Sequence, residues 1–205
     1  MIDSHCHLTD ERLRSQLADV LDRAALAGVE RMVTIGTGLA DNRAAIDLCR
    51  QHPNLRCSIG LHPNYVEDHT LAELPALREL AKDPAVVALG EMGLDYHYTF
   101  AARDKQRPVF EAQLALAVEL DRPVVIHCRE AVDDTLAILA NNPPLRAVFH
   151  CFTGTSAEAR RIVHAGHYLG FAGAVTFKKS EDLREAARLC PLDRLLVETD
   201  APYLT

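Results

Sequence analysis

Met1-Ile2-Asp3-Ser4-His5-Cys6-His7 opens the chain, and its reading governs everything that follows. As a β-strand it sets Asp3, His5 and His7 on one face and Ile2, Ser4 and Cys6 on the other, because successive side chains alternate. Two imidazoles side by side on a rigid strand make a metal clamp that still lacks ligands. A His-x-His pair alone more often marks solvated or hydrogen-bonded side chains. The positions of the other ligand-type residues therefore decide its meaning.

Outward from that strand, β-rich runs at 31–37, 55–59, 86–91, 123–128, 146–151, 168–172 and 195–198 alternate with helical stretches at 11–27, 41–51, 71–81, 104–120, 131–140, 156–165 and 181–189. Gly28 closes the first helix by tolerating φ > 0, and His52-Pro53 stops the second. Ser156 is a candidate N-cap and Gly166 a candidate stop for the sixth. The stretch 92–103 reads as a long aromatic loop. Eight strands with seven intervening helices and no linker indicate an α/β chain, residues 1–205 forming one (β/α)8 TIM barrel, with a doubly wound open sheet as the alternative.

The polar residues separate those two folds. His5, His7, His62, Glu91, His127, His150, Glu198 and Asp200 all fall at or just past the C-terminal ends of strands. A barrel converges those ends on one face, where active sites sit. An open sheet would scatter them along an edge. Taken singly, His127 after Val124-Val125-Ile126 and His150 after Val148-Phe149 could each be a hydrogen-bonded strand end. Glu91 ends the apolar run Val86-Val87-Ala88-Leu89-Gly90, where a carboxylate needs a partner or a cation. Together the set reads as a metal centre. By the same alternation Cys6, Cys128 and Cys151 face the helical layer as small hydrophobes. His52, His69, His97, His164 and His167 fall in helix ends or connections and read as structural or solvated.

With 205 residues, 48% of them hydrophobic and 25% charged, the chain can bury a substantial core. It has neither an apolar run of about 18 residues nor a signal-peptide pattern, so the expectation is a cytoplasmic protein without a membrane segment. Its six cysteines then read as reduced thiols. A net charge of −7 argues against broad adhesion to duplex nucleic acid. Composition leaves the oligomeric state open.

Asp3-Ser4-His5-Cys6-His7, Gly60-Leu61-His62-Pro63, Gly90-Glu91-Met92-Gly93-Leu94-Asp95-Tyr96, His127-Cys128-Arg129, His150-Cys151-Phe152-Thr153-Gly154 and Glu198-Thr199-Asp200-Ala201-Pro202-Tyr203 closely resemble the TatD family of metal-dependent deoxyribonucleases, part of the amidohydrolase superfamily. The resemblance runs across the whole chain in order. It implies a two-metal nuclease acting on DNA, with a 3′-5′ exonuclease on single-stranded ends as the expected activity and Mg2+ as the common activating ion.

Hydrolysis of a phosphodiester needs a nucleophilic water, charge neutralisation and help for the leaving oxygen, which two cations about 3.5 to 4 Å apart largely supply. The central strand position and the family pattern suggest Glu91 as the bridge, with His5, His7 and Asp200 completing one site and His127 with His150 the other. Asp200 would also hold the attacking water and take its proton, with Glu198 orienting the ligands from behind. His62 is expected as a non-ligand contact to the phosphate or leaving oxygen, and Arg129 as a phosphate clamp. Substrate contacts are further expected from Asp95, from Tyr96 with Tyr98 and Phe100 as stacking surfaces, and from a basic rim at Lys178 and Lys179. Mg2+ or Mn2+ would support turnover, while four imidazoles favour Zn2+ or another transition ion as bound.

Two other functions fit the residues less well. An amidohydrolase acting on a small amide, ester or phosphotriester would often bridge its metals with a carboxylated lysine, yet no lysine lies near a strand terminus. A metal-stabilised binding module without turnover would lack a water activator or leaving-group helper. Both Asp200 and His62 are present. The barrel also reads as lacking its final helix, since such enzymes run to about 250 residues. Ile2, Leu195 and Val197 would face outward along the seam such a helix covers.

Overall fold

The computed structural model describes residues 1–67 and 70–204. His69 lies outside the described residues. The strands are β1 (Ile2–Cys6), β2 (Arg31–Gly36), β3 (Leu55–Ile59), β4 (Val86–Asp95), β5 (Val124–Arg129), β6 (Ala147–Phe149), β7 (Tyr168–Phe171) and β8 (Leu195–Val197). They form one eight-stranded sheet in sequence order, each parallel to the next. The ends of the sheet meet just past β8, where Asp200 N donates to His5 O at 2.9 Å and His7 N to Ala201 O at 2.7 Å. Buried Asp3 reinforces this closure, accepting from Thr199 N at 3.0 Å and Thr199 Oγ1 at 2.6 Å. The fold is a parallel α/β barrel, as the strand ends require.

The helices are α1 (Glu11–Arg14), α2 (Leu17–Leu26), α3 (Leu39–Gln51), α4 (Leu74–Leu80), α5 (Arg103–Glu119), α6 (Val132–Ala140), α7 (Ser156–His164) and α8 (Glu181–Leu189). The expected first helix is broken in two: Gln16 leaves helical geometry at φ −130°, and its side-chain amide donates to Arg12 O. Such a local bond competes with continuation of the helix. The cap of α7 is Thr155 rather than Ser156. Thr155 and Glu158 form a reciprocal capping box.

Strand β4 differs most from expectation, since it continues past Glu91 to Asp95 in register with β5. Gly90 permits this. Its φ is +126°, and a Cβ there would stand 2.2 Å from Val125 O. The result is one strand carrying both Glu91 and Asp95.

Leu55, Leu77, Leu89, Leu114, Ile126, Phe149 and Ile162 are fully buried members of one continuous core. On the outer side of the β8–β1 junction Ile2 and Val197 are exposed, as their strand parity requires. No helix among the described residues is long and apolar enough to cross a membrane. All six cysteines are free thiols.

Candidate metal centre

Parallel strands aim their C-terminal ends at one face, and the carboxylate of Glu91 stands at its centre. Its Oε1 lies 2.7 Å from His150 Nε2, 2.8 Å from His127 Nδ1 and 3.2 Å from His62 Nε2. Its Oε2 lies 3.6 Å from His5 Nε2 and 3.9 Å from His7 Nε2. Asp200 Oδ1 closes that second group at 3.6 Å from His5 Nε2 and 3.4 Å from His7 Nε2. The two oxygens of one carboxylate thus face two sets of donors.

These donors fit divalent cations. His5 Nε2 and His7 Nε2 approach to 3.2 Å, and His62 Nε2 and His127 Nδ1 to 3.3 Å. Nitrogen facing nitrogen is tolerable only with a proton or a cation between them. His5–His7–Asp200, His5–Glu91–His150 and His62–Glu91–His127 each present three converging ligand atoms. A mixture of imidazole and carboxylate suits Zn2+, Mn2+ or similar ions.

Burial and mutual charge set the protonation of the cluster. Burial pushes His5 down to about 3, helped by the nearby His150. Burial also opposes charge on His150, but Glu91 outweighs it and lifts that imidazole to about 9. Burial works against ionised Glu91, yet His150, His62 and His127 hold it well below the usual carboxylate range. Asp200 is likewise lowered, with His7 and His150 prevailing over burial.

A further layer of partners aims the ligands. Asp95 Oδ2 lies 2.8 Å from His127 Nε2 and accepts from Asn64 Nδ2 at 3.2 Å, while Oδ1 accepts from His97 N and Tyr98 N. Gln106 brackets the Asp95 backbone, accepting from its N and donating to its O. Asp95 is completely buried. This corrects its expected role as a substrate contact: every Asp95 carboxylate oxygen is committed inside the protein, because β4 runs on to place it behind His127. Tyr96 is corrected too. Its hydroxyl donates to Asp134 at 2.6 Å and Arg103 covers its ring at 4.3 Å, so it faces α6 instead of the cavity.

Glu198 also stands behind the cluster. It accepts from Ser4 Oγ at 3.2 Å and from Cys151 N, and its Oε1 is 3.8 Å from His150 Nδ1. Gly170 makes the room, since a Cβ there would meet Glu198 Oε2 at 2.4 Å. Burial pushes the Glu198 carboxyl up to about 7. His62 stands closer to the ligands than expected. Its Nδ1 accepts from Asn64 N, which turns its Nε2 toward Glu91.

A cavity of about 670 Å3 opens above the cluster, its mouth set with Arg12, Tyr65, Tyr98, Phe100, Arg129 and Tyr203. Arg129 thus lines the cavity. Lys178 and Lys179 are exposed and absent from the cavity wall, lying between β7 and α8. Cys151 departs from the alternation: β6 ends at Phe149, and a φ of +41° at Cys151 sets it in the cavity wall beside Asp200. Cys6 and Cys128 keep their thiols toward Val33 O and Thr135 Oγ1. His97 pairs with Glu130 at the surface.

Asp3, Asn64 and Gln106 carry supporting roles that no sequence motif marks. Only Asp3 had a usable signal, its parity with His5 and His7.

The model of the family described as TatD related DNase matches residues 2–205. YcfH of Escherichia coli strain K12, named an uncharacterized metal-dependent hydrolase, is 41% identical over 209 residues, covering all of this chain and 78% of that protein. The 3′-5′ ssDNA/RNA exonuclease TatD of Erwinia tasmaniensis is 40% identical over 208 residues, covering all of this chain and 80% of that one. The crystal structure of YjjV, a TatD homolog from Escherichia coli K12, superposes with a TM-score of 0.91 at 31% identity, over all of this chain and 80% of that one. Sequence, fold and the arrangement of ligand-type side chains agree, and the chain belongs to the TatD family of metal-dependent hydrolases.

Proposed function

We propose that this hydrolase cleaves phosphodiester bonds in nucleic acid, removing nucleotides from single-stranded 3′ ends with two divalent cations. The observation that carries the reading is the placement of Glu91, whose two oxygens face separate donor groups beneath a cavity rimmed by arginines and aromatic rings. A similar protein named a 3′-5′ ssDNA/RNA exonuclease supports the same substrate class.

Glu91, His5, His7 and Asp200 would hold one cation, and Glu91, His127 and His150 the other. Cations held there would supply a lowered pKa for water and neutralisation of charge on the phosphoryl oxygens. Asp200 stays ionised at neutral pH and lines the cavity, so it can accept a proton from an attacking water. Arg129 and Arg12 supply guanidinium groups at the mouth for phosphate oxygens. Asp95 fixes the ring of His127 through Nε2 and leaves Nδ1 for the site. His62 lies between cluster and cavity, as a further donor or a phosphate contact. The metal content of His62→Ala separates these: loss of metal makes it a donor, and retained metal with slower turnover makes it a substrate contact.

The test uses metal-loaded protein with single-stranded oligonucleotides labelled at either end, beside simple carboxylic and phosphate esters. The expected result is stepwise shortening from the 3′ end. Cleavage of the small esters alone would overturn the nuclease reading, and internal cuts would replace exonuclease by endonuclease. Elemental analysis of protein purified without added ions is expected to find a transition metal.

A further inference from the structure

The mouth of the cavity carries a stacked pair of exposed aromatic rings. Tyr98 and Phe100 stack on each other with ring centroids 5.2 Å apart and an interplanar angle of 25°, and they are 44% and 72% exposed. The other rings of the mouth do not stack on a second aromatic side chain of this kind, although Tyr65 and Tyr203 are 65% and 44% exposed. Tyr203 lies edge-on to His7 at 5.3 Å beneath Arg12 at 4.6 Å, and Tyr96 is covered by Arg103. Tyr65 is a single ring tilted against His62.

The backbone beneath the Tyr98–Phe100 pair is fastened on both sides. Tyr98 N donates to Asp95 Oδ1 at 2.9 Å, and Ala101 O accepts from Gln106 Nε2 at 3.0 Å. The same Asp95 carboxylate holds the ring of His127, so the aromatic pair keeps a fixed relation to the metal centre. Arg129 joins them, its guanidinium carbon 5.7 Å from the Tyr98 ring centroid. A pinned pair of exposed rings beside a guanidinium group has the chemistry of a shelf for a flat, uncharged ring attached to a phosphate.

Resting on the nuclease reading above, we propose that Tyr98 and Phe100 form a stacking subsite for the unpaired base at the strand end, with Arg129 contacting that nucleotide's phosphate. A base within a duplex has both faces covered by its neighbours and cannot use the shelf. A terminal base of a single strand offers a free face, and stacking accepts any base because each has a π-face. The shelf thereby accepts ends without reading sequence, and favours unpaired ones because a base held in a terminal pair cannot turn onto it without breaking that pair.

The test compares wild type with Tyr98→Ala/Phe100→Ala, both metal-loaded. Alanine at 98 keeps the N–H bond to Asp95, so metal content and melting temperature should be unchanged, and Phe100→Ala alone serves should the double variant fold poorly. A strand with 2-aminopurine at its 3′ end, protected by phosphorothioate linkages, reports stacking as fluorescence quenching. Wild type should quench it and the double variant should not, while Tyr98→Phe should retain quenching. For cleavage, the double variant should raise KM for an ordinary strand about fivefold or more with kcat nearly constant. A strand ending in an abasic nucleotide should show the raised KM with wild type and no further rise with the variant. Persisting quenching in the variant, or an equal rise in KM on both strands, would overturn the shelf while wild-type cleavage keeps the nuclease reading. Absence of cleavage of any strand by wild type would remove that reading, and the shelf with it.

Discussion

The two halves of the histidine–carboxylate cluster share Glu91 but are built differently. On the β1/β8 side, His5 and His7 stand 3.2 Å apart and 3.4 to 3.6 Å from Asp200. Ligands each about 2.1 Å from a common cation lie about 3.0 to 3.4 Å from one another, so this side already has close to ligand spacing. On the β3–β6 side, His127 and His150 approach Glu91 Oε1 to 2.8 and 2.7 Å, which are hydrogen-bond distances. Protons hold that side together. One half is preorganised for a cation, whereas the other must give up protons to accept one.

Their supports differ as well. The β1/β8 half draws on residues 5, 7 and 200, so it depends on barrel closure, made by backbone bonds that Asp3 and Thr199 reinforce. The other half comes from consecutive central strands and is aimed by Asp95. Closure builds one half, and a buried carboxylate aims the other.

The most damaging change should be Glu91→Ala, which removes the atoms common to both halves. Turnover should fall by more than about 100-fold, exceeding the usual effect of an outer-layer partner, and both metal equivalents should be lost. Metal-to-protein ratios beside initial rates check this. Retention of one full equivalent would show that the halves are independent and Glu91 no bridge.

Smaller and opposite effects should come from the two supports. Asp95→Asn should weaken one class of metal site by about 10- to 100-fold and leave the other alone. Asp3→Ala should instead disturb the β1/β8 class and cost about 1 kcal/mol of stability, because the partly buried bonds from Thr199 lose their acceptor. Calorimetric metal titrations and thermal melts of both variants provide the comparison. Equal loss in both classes from either variant would erase the distinction between the halves.

The mildest test is pH. His150 is lifted to about 9 and is doubly protonated at neutral pH, whereas His5 is lowered to about 3 and is a neutral imidazole. A cation entering the β3–β6 half must expel the His150 proton, so affinity there should rise with pH up to about 9, with about one proton released per ion. Burial opposes a charge on His7, but Asp200 and Glu91 raise it, which gives the β1/β8 half a weaker dependence of the same sign. Calorimetry in buffers of different ionisation enthalpy counts the protons. Identical release from both classes would refute the hydrogen-bonded description of the β3–β6 half.

Much of the fold was legible because β-strand alternation and strand ends are local properties. Placing His5, His7, His62, Glu91, His127, His150 and Asp200 at strand ends required only periodicity, and a parallel barrel brings such ends to one face. The rim was harder. Tyr96, Tyr98 and Phe100 looked equivalent in sequence, yet one is tied to Asp134 while the other two stack beside the cavity. Their separate fates depend on partners in other elements.

By itself, the sequence determined the order of strands and helices, the parity of the histidines and the carboxylate at the centre, since these follow from side-chain periods of the backbone. Tertiary structure alone decided that β4 runs on to Asp95, that a left-handed residue sets Cys151 in the cavity wall, and that His62 leans toward Glu91. Each of these depends on a hydrogen bond or steric contact with residues distant in the chain, or on a dihedral that no local pattern encodes. Asp95 shows the reason most plainly: in sequence it is one carboxylate of a motif, and only the packing of β4 against β5 brings it to the far nitrogen of His127.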